Sequence, residues 1–121
     1  MIVVIDDDPS VREAVENLLA SRDFPVSSYS SAEQFLASGD VESVTCVVTD
    51  IQMQGMSGME LRRHLRAIHC SAPVILMTAF FDENMQREAM ASGAAAYLVK
   101  PFSSAALITE IERALASRES P

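Results

Sequence analysis

The chain has 121 residues, enough for one hydrophobic core but not two, and its 49% hydrophobic and 21% charged content is that of an ordinary globular domain. Seventeen acidic residues against nine basic ones leave a formal charge of −8, which argues against direct nucleic-acid contact because that needs a cationic face to displace counterions. The first apolar run is four residues long and meets three aspartates, so it is neither signal peptide nor membrane span, and two cysteines make no disulfide framework, so a reducing, cytoplasmic setting is expected.

Short apolar runs alternate with helical patterns five times, which predicts βα repeats and a single doubly wound α/β domain over residues 1–117. Strand one is expected at 2–6. Asp8 then caps helix one, with Pro9 in the first turn and Val11, Val15, Leu18 and Leu19 on its buried face. Strand two is short, 26–29. Ser30 or Ser31 caps a second helix carrying Phe35 and Leu36, which ends near Gly39. Strand three, 44–49, includes Cys46 as a small buried residue. A loop with Met53 and Met56 follows it, and helix three opens near Ser57 and runs through Leu61, Leu65 and Ile68. Pro73 precedes strand four at 74–78, and an amphipathic helix over 83–92 stops at Gly93. Strand five at 95–99 leads to helix five at 103–117, with Leu107, Ile108, Ile111 and Leu115 inward. Residues 118–121 read as a polar tail or the start of a linker.

Four of these apolar runs end in chemistry. Asp6-Asp7-Asp8, Asp50, Thr78 and Lys100-Pro101 each close a buried strand, and open α/β sheets bind ligands outside the carboxyl ends of their strands. Gathered carboxylates repel one another and recruit a hard cation such as Mg²⁺, which takes oxygen ligands. A divalent ion, a hydroxyl and a fixed ammonium together neutralise the charge on phosphoryl oxygens. Proline restricts Lys100 to extended geometry and permits a cis bond. His64 and His69 have no partner at metal-ligand spacing, and Met53, Met56 and Met59 read as gap-filling residues.

Ile5-Asp6-Asp7-Asp8, Val48-Thr49-Asp50-Ile51-Gln52-Met53, Thr78-Ala79 and Tyr97-Leu98-Val99-Lys100-Pro101-Phe102 together resemble, in order and over essentially the whole chain, the receiver domain of two-component response regulators. Phe24-Pro25-Val26 and Ser31-Ala32-Glu33-Gln34-Phe35-Leu36 look most like FixJ-type transcription regulators. The resemblance implies a flavodoxin-like (βα)5 fold with parallel strand order 2-1-3-4-5, the order that chemotaxis receivers also have. It implies a phosphorylation-dependent signalling switch rather than an enzyme, with Asp50 accepting a phosphoryl group from a histidine kinase or phosphotransfer protein. Mg²⁺ would be held by Asp7, Asp50 and the main-chain carbonyl of Gln52, with Asp6 acting through water. Lys100 and Thr78 would contact phosphoryl oxygens, and the Lys100–Pro101 peptide would be cis. Thr78 and Tyr97 would relay the change to a surface of helix four, strand five and helix five, producing a homodimer. Gln52 and Phe80, two positions after Asp50 and Thr78, would flank the water that removes the phosphoryl group. One departure is Gln54, where the family usually has proline, which leaves loop rigidity open.

Two rivals use the same residues. A haloacid-dehalogenase-like phosphatase would employ Asp6 and Asp8, but needs a further acidic pair that does not follow Lys100-Pro101-Phe102. A pseudo-receiver would keep the fold as a binding module without phosphorylation.

Overall fold

The structure is a computed structural model, and it describes residues 1–119. Five parallel strands, β1 (Ile2–Ile5), β2 (Val26–Tyr29), β3 (Cys46–Asp50), β4 (Val74–Thr78) and β5 (Ala96–Val99), form one sheet in the order β2-β1-β3-β4-β5. Between and after them run α1 (Pro9–Ser21), α2 (Ala32–Ala37), α3 (Gly58–Ala67), α4 (Glu83–Ala91) and α5 (Ser104–Glu119), with a short 3-10 turn at Asp40–Glu42 before β3.

The continuous apolar strands are explained by burial on both faces. Every residue of β1, β3 and β4 is buried, whereas the edge strand β2 is only half-buried. Alternate residues divide between two cores. Val3, Ile5, Val47, Val74 and Leu76 pack with Phe35, Leu61, Leu65 and Ala89 from α2, α3 and α4. Ile2, Val4, Cys46, Val48, Ile75 and Met77 pack with Val15, Leu19, Leu107 and Ile111 from α1 and α5.

Local signals set the helix starts. Asp8 accepts from the Ser10 amide at 2.9 Å, and Pro9 occupies the first turn of α1, where its missing N–H is harmless. Ser31 caps α2, and Ser57 caps α3 in a reciprocal box with Glu60. Two expectations need correction. Helix α3 ends at Ala67 with Ile68 as its cap, 47% exposed, because the chain turns out through His69 at φ 62°. Helix α5 continues to Glu119, taking in two residues of the expected tail; Ser120 and Pro121 lie outside the described residues. The Lys100–Pro101 peptide is cis, as expected.

Candidate functional site

At the carboxyl edge of the sheet, β1 and β3 are neighbours in register, Ile5 opposite Thr49, so the residues that follow them, Asp6 and Asp50, emerge side by side. Asp6 is fully buried and Asp50 is 7% exposed. Asp6 is fixed from two directions: its Oδ1 accepts from the Asp8 amide at 2.9 Å, and its carbonyl accepts from Arg12 Nη1 at 2.7 Å. Asp7, on the exposed side, completes a trio with Asp6 and Asp50 whose ligand atoms all lie within 4.8 Å of one another.

Lys100 reaches this trio from the far edge of the sheet. Its Nζ donates to Asp6 Oδ2 at 2.8 Å and stands 3.4 Å from Asp50 Oδ1. Burial pulls its ammonium toward lower pKa, but the hydrogen bond and charge of Asp6, with the charge of Asp50, outweigh burial and raise it above its usual 10.5. Asp50 is pushed up from its usual 3.8 chiefly by burial and further by the neighbouring charge of Asp6, against the opposing pull of Lys100. Asp50 Oδ1 is buried yet accepts no hydrogen bond. A buried carboxylate oxygen without a donor, among three converging acids, is an environment that a hard cation with oxygen preference completes. The residues present therefore fit Mg²⁺.

Thr78 ends β4, buried, but its hydroxyl is engaged away from Asp50. It lies 2.9 Å from Gln52 Oε1 and 3.1 Å from the Phe80 carbonyl, while accepting from the Phe80 amide at 3.1 Å. Gln52 thus meets the Thr78 hydroxyl through its side chain. Phe80 is 72% exposed, and its amide and carbonyl make the contacts with Thr78. Tyr97, opposite Leu76 on β5, packs half-buried on the face covered by α2, α3 and α4. Its hydroxyl is buried without a hydrogen-bond partner.

The loop after Asp50 is held by residues that the sequence reading passed over. Glu33 Oε2 on α2 accepts from the Met56 amide at 2.8 Å, beside Gly55 at φ 78°. A carboxylate tether thus stands where the missing proline left rigidity open. Gly58 seats the start of α3 against β3: a Cβ there would fall 2.5 Å from the Asp50 carbonyl oxygen. Met53, Met56 and Met59 pack against the core, and His64 and His69 are exposed. Asp8 is exposed and used as a helix cap outside the acidic trio, which counts against the phosphatase arrangement.

Comparison with known proteins agrees with this geometry. The family model described as the response regulator receiver domain matches residues 2–112. The chain is 43% identical over 112 residues to the transcriptional regulatory protein FixJ of Azorhizobium caulinodans, covering 93% of this chain and 53% of that protein. It is 37% identical over 118 residues to FixJ of Bradyrhizobium diazoefficiens, covering 98% and 58%. Thus the chain spans little more than half the length of these curated relatives. Among solved structures, the response regulator StyR superposes with a TM-score of 0.87 at 42% identity, over 97% of this chain and 61% of that one. The FixJ-N structure superposes with a TM-score of 0.85 at 37% identity, over 95% and 92%. No helix among the described residues is long and apolar enough to cross a membrane.

Proposed function

This chain belongs to the response regulator receiver family, and on that premise we propose that it is a phosphorylation-dependent signalling switch whose acceptor is Asp50. The observation that carries the reading is the Asp50 carboxylate, buried, lacking a hydrogen bond on Oδ1 and faced by the ammonium of Lys100 at 3.4 Å. An Asp50 oxygen attacks the phosphorus of a phosphohistidine on a histidine kinase or phosphotransfer protein. The new P–O bond forms as the P–N bond breaks, and the imidazole leaves as the neutral base after taking a proton.

Asp7, Asp50 and the main-chain carbonyl of Gln52 would hold Mg²⁺, with Asp6 acting through water, and the ion would neutralise charge on the phosphoryl oxygens. Lys100 exchanges part of its pairing with Asp6 for a phosphoryl oxygen, and the restricted backbone before Pro101 keeps the ammonium aimed there. Thr78 leaves Gln52 to donate to another phosphoryl oxygen. Its departure alters the space beside Tyr97, whose unpartnered hydroxyl gives the ring reason to change position. The surface of α4, β5 and α5 changes with it and supports a homodimer. The domain supplies its own phosphoryl transfer and dephosphorylation but turns over no external substrate, works in the cytoplasm and makes no DNA contact itself, as the −8 charge favours.

Mass spectrometry after treatment with acetyl phosphate and Mg²⁺ tests the reading. Wild type should gain one phosphoryl mass and Asp50→Asn should not. Labelling retained in the variant would move the acceptor elsewhere, and labelling of neither protein would favour the pseudo-receiver.

A further inference from the structure

At the end of the sheet opposite Asp50 the electrostatics invert. A cavity of about 500 Å³ opens where α3 finishes, β4 and β5 begin, and the last turns of α5 pass. It lies about 13 Å of strand away from Thr78, at the Val74 end of β4. In a chain of net charge −8, three of the nine cationic side chains, Arg62, Arg66 and Arg113, line this one cavity. The floor is apolar, with Leu65, Val74 and Ala114 buried beneath it.

The three arginines are not equivalent. Arg113 is already paired with Glu110, Nη1 to Oε1 at 2.9 Å. Arg62 and Arg66 are not: neither makes an ion pair with a carboxylate among the described residues. They sit one turn apart on α3, so their like charges face each other, an arrangement that weakens an isolated helix. Arg62 is half-buried, and burial first, then the charge of Arg66, makes its guanidinium easier to deprotonate than usual. The guanidinium also occupies space that only glycine leaves open. A Cβ on Gly93, which stands at φ 100°, would collide with Arg62 Nη2. The chain thus holds a partly desolvated guanidinium beside a second one, neither paired with a carboxylate among the described residues, over an apolar floor.

We propose that this cavity binds a small organic oxyanion, a phosphate or carboxylate carried on an apolar body, with Arg62 and Arg66 gripping the anionic group. The volume lies within the range of small-molecule sites, and an arginine fork matches two oxygens of a phosphate or carboxylate. An anion bound there relieves the repulsion between the two guanidinium groups, and its apolar body covers the Leu65–Val74–Ala114 floor. The Glu110 carboxylate, satisfied by Arg113, closes one side of the cavity against a second anionic group. The site is separate from the acidic trio and requires neither Mg²⁺ nor phosphorylation.

The test is amide NMR of the isotope-labelled protein in EDTA, titrated with phenyl phosphate, inorganic phosphate or phenol. Phenyl phosphate should move the amides of Gly93 and Ala95 saturably, inorganic phosphate should bind more weakly, and phenol should give no saturable shift. Arg62→Gln and Arg66→Gln should each weaken phenyl phosphate binding on the order of tenfold, the loss expected for a charge-assisted hydrogen bond. Arg63→Gln removes the same charge from an exposed position outside the cavity and should leave binding unchanged. The proposal fails if the shifts do not saturate, if they cluster elsewhere, or if Arg63→Gln weakens binding as much as Arg62→Gln. A dependence of the shifts on protein concentration instead of ligand would also overturn it, assigning the face to a contact between copies.

Discussion

Replacing Lys100 by methionine removes the one ammonium that faces the acidic trio while keeping a flexible side chain of similar length. Its Nζ lies 2.8 Å from Asp6 and 3.4 Å from Asp50, and these carboxylates are almost wholly buried. At an effective dielectric of about 20 each contact represents roughly 5 kcal/mol of Coulomb attraction, much of it offset by desolvation. Removing one partner of a buried pair costs about 3–5 kcal/mol because the other charge is left uncompensated. The lysine side chain is 18% exposed, so water partly screens the pair and the low end, about 3 kcal/mol, is expected. The sign with pH is also fixed. Lys100 is raised above its usual 10.5, so its contribution is fully present at neutral pH and is lost only as pH climbs through the higher folded value.

A divalent cation should replace much of the lost charge. Above its dissociation constant Mg²⁺ stabilises the folded state by about 1.4 kcal/mol per tenfold rise in concentration, and Lys100→Met should respond more strongly than wild type. Urea denaturation followed by circular dichroism, in EDTA and across a Mg²⁺ series, measures both quantities. A loss below about 0.5 kcal/mol in EDTA, within the scatter of ordinary surface substitutions, would refute the reasoning. So would a loss of the same size at every Mg²⁺ concentration, since the deficit would then lie in packing and not in charge.

Four other outcomes are expected. In EDTA, ionising Asp50 penalises the fold because its pKa is raised by burial; stability should rise as pH falls through that elevated folded value toward the usual 3.8, and Asp50→Asn should flatten this segment of the curve. A wild-type curve that is already flat there would contradict it. Asp7→Asn should weaken Mg²⁺ affinity and slow acetyl phosphate labelling with an unchanged urea midpoint in EDTA, Asp7 being exposed; unchanged Mg²⁺ binding by calorimetry removes Asp7 from the site. Phe80→Glu should speed loss of the phosphoryl group several-fold, about 1 kcal/mol of barrier, because a carboxylate can orient water and an exposed phenyl ring cannot. Equal or slower decay would leave Gln52 to set the lifetime. Loading with beryllofluoride should shift amides on α4, β5 and α5 and produce dimers by sedimentation, and Thr78→Val should suppress both; dimers that form equally well in Thr78→Val would disconnect the hydroxyl from the surface.

Much of this protein could be read along the chain because the relevant signals are local. A buried parallel strand must be apolar on both faces, so its polar terminus stands out, and Asp50, Thr78 and Lys100 were found that way. Asp8, Ser31 and Ser57 announced their helices because a cap is a bond within three residues. Strand order was carried by resemblance alone, since five similar apolar runs do not say which edges pair. Only the tertiary structure decided contacts between distant residues. It set the hydroxyl of Thr78 on Gln52, 26 positions away, and the carboxylate of Glu33 on the loop that lacks proline, 23 positions away. It exposed Ile68 and Phe80 despite their apolar character, and it gathered Arg62, Arg66 and Arg113 from α3 and α5 around one cavity. Helical spacing and strand alternation report which side of an element is buried; which side chains then meet depends on how the elements are wound about the sheet.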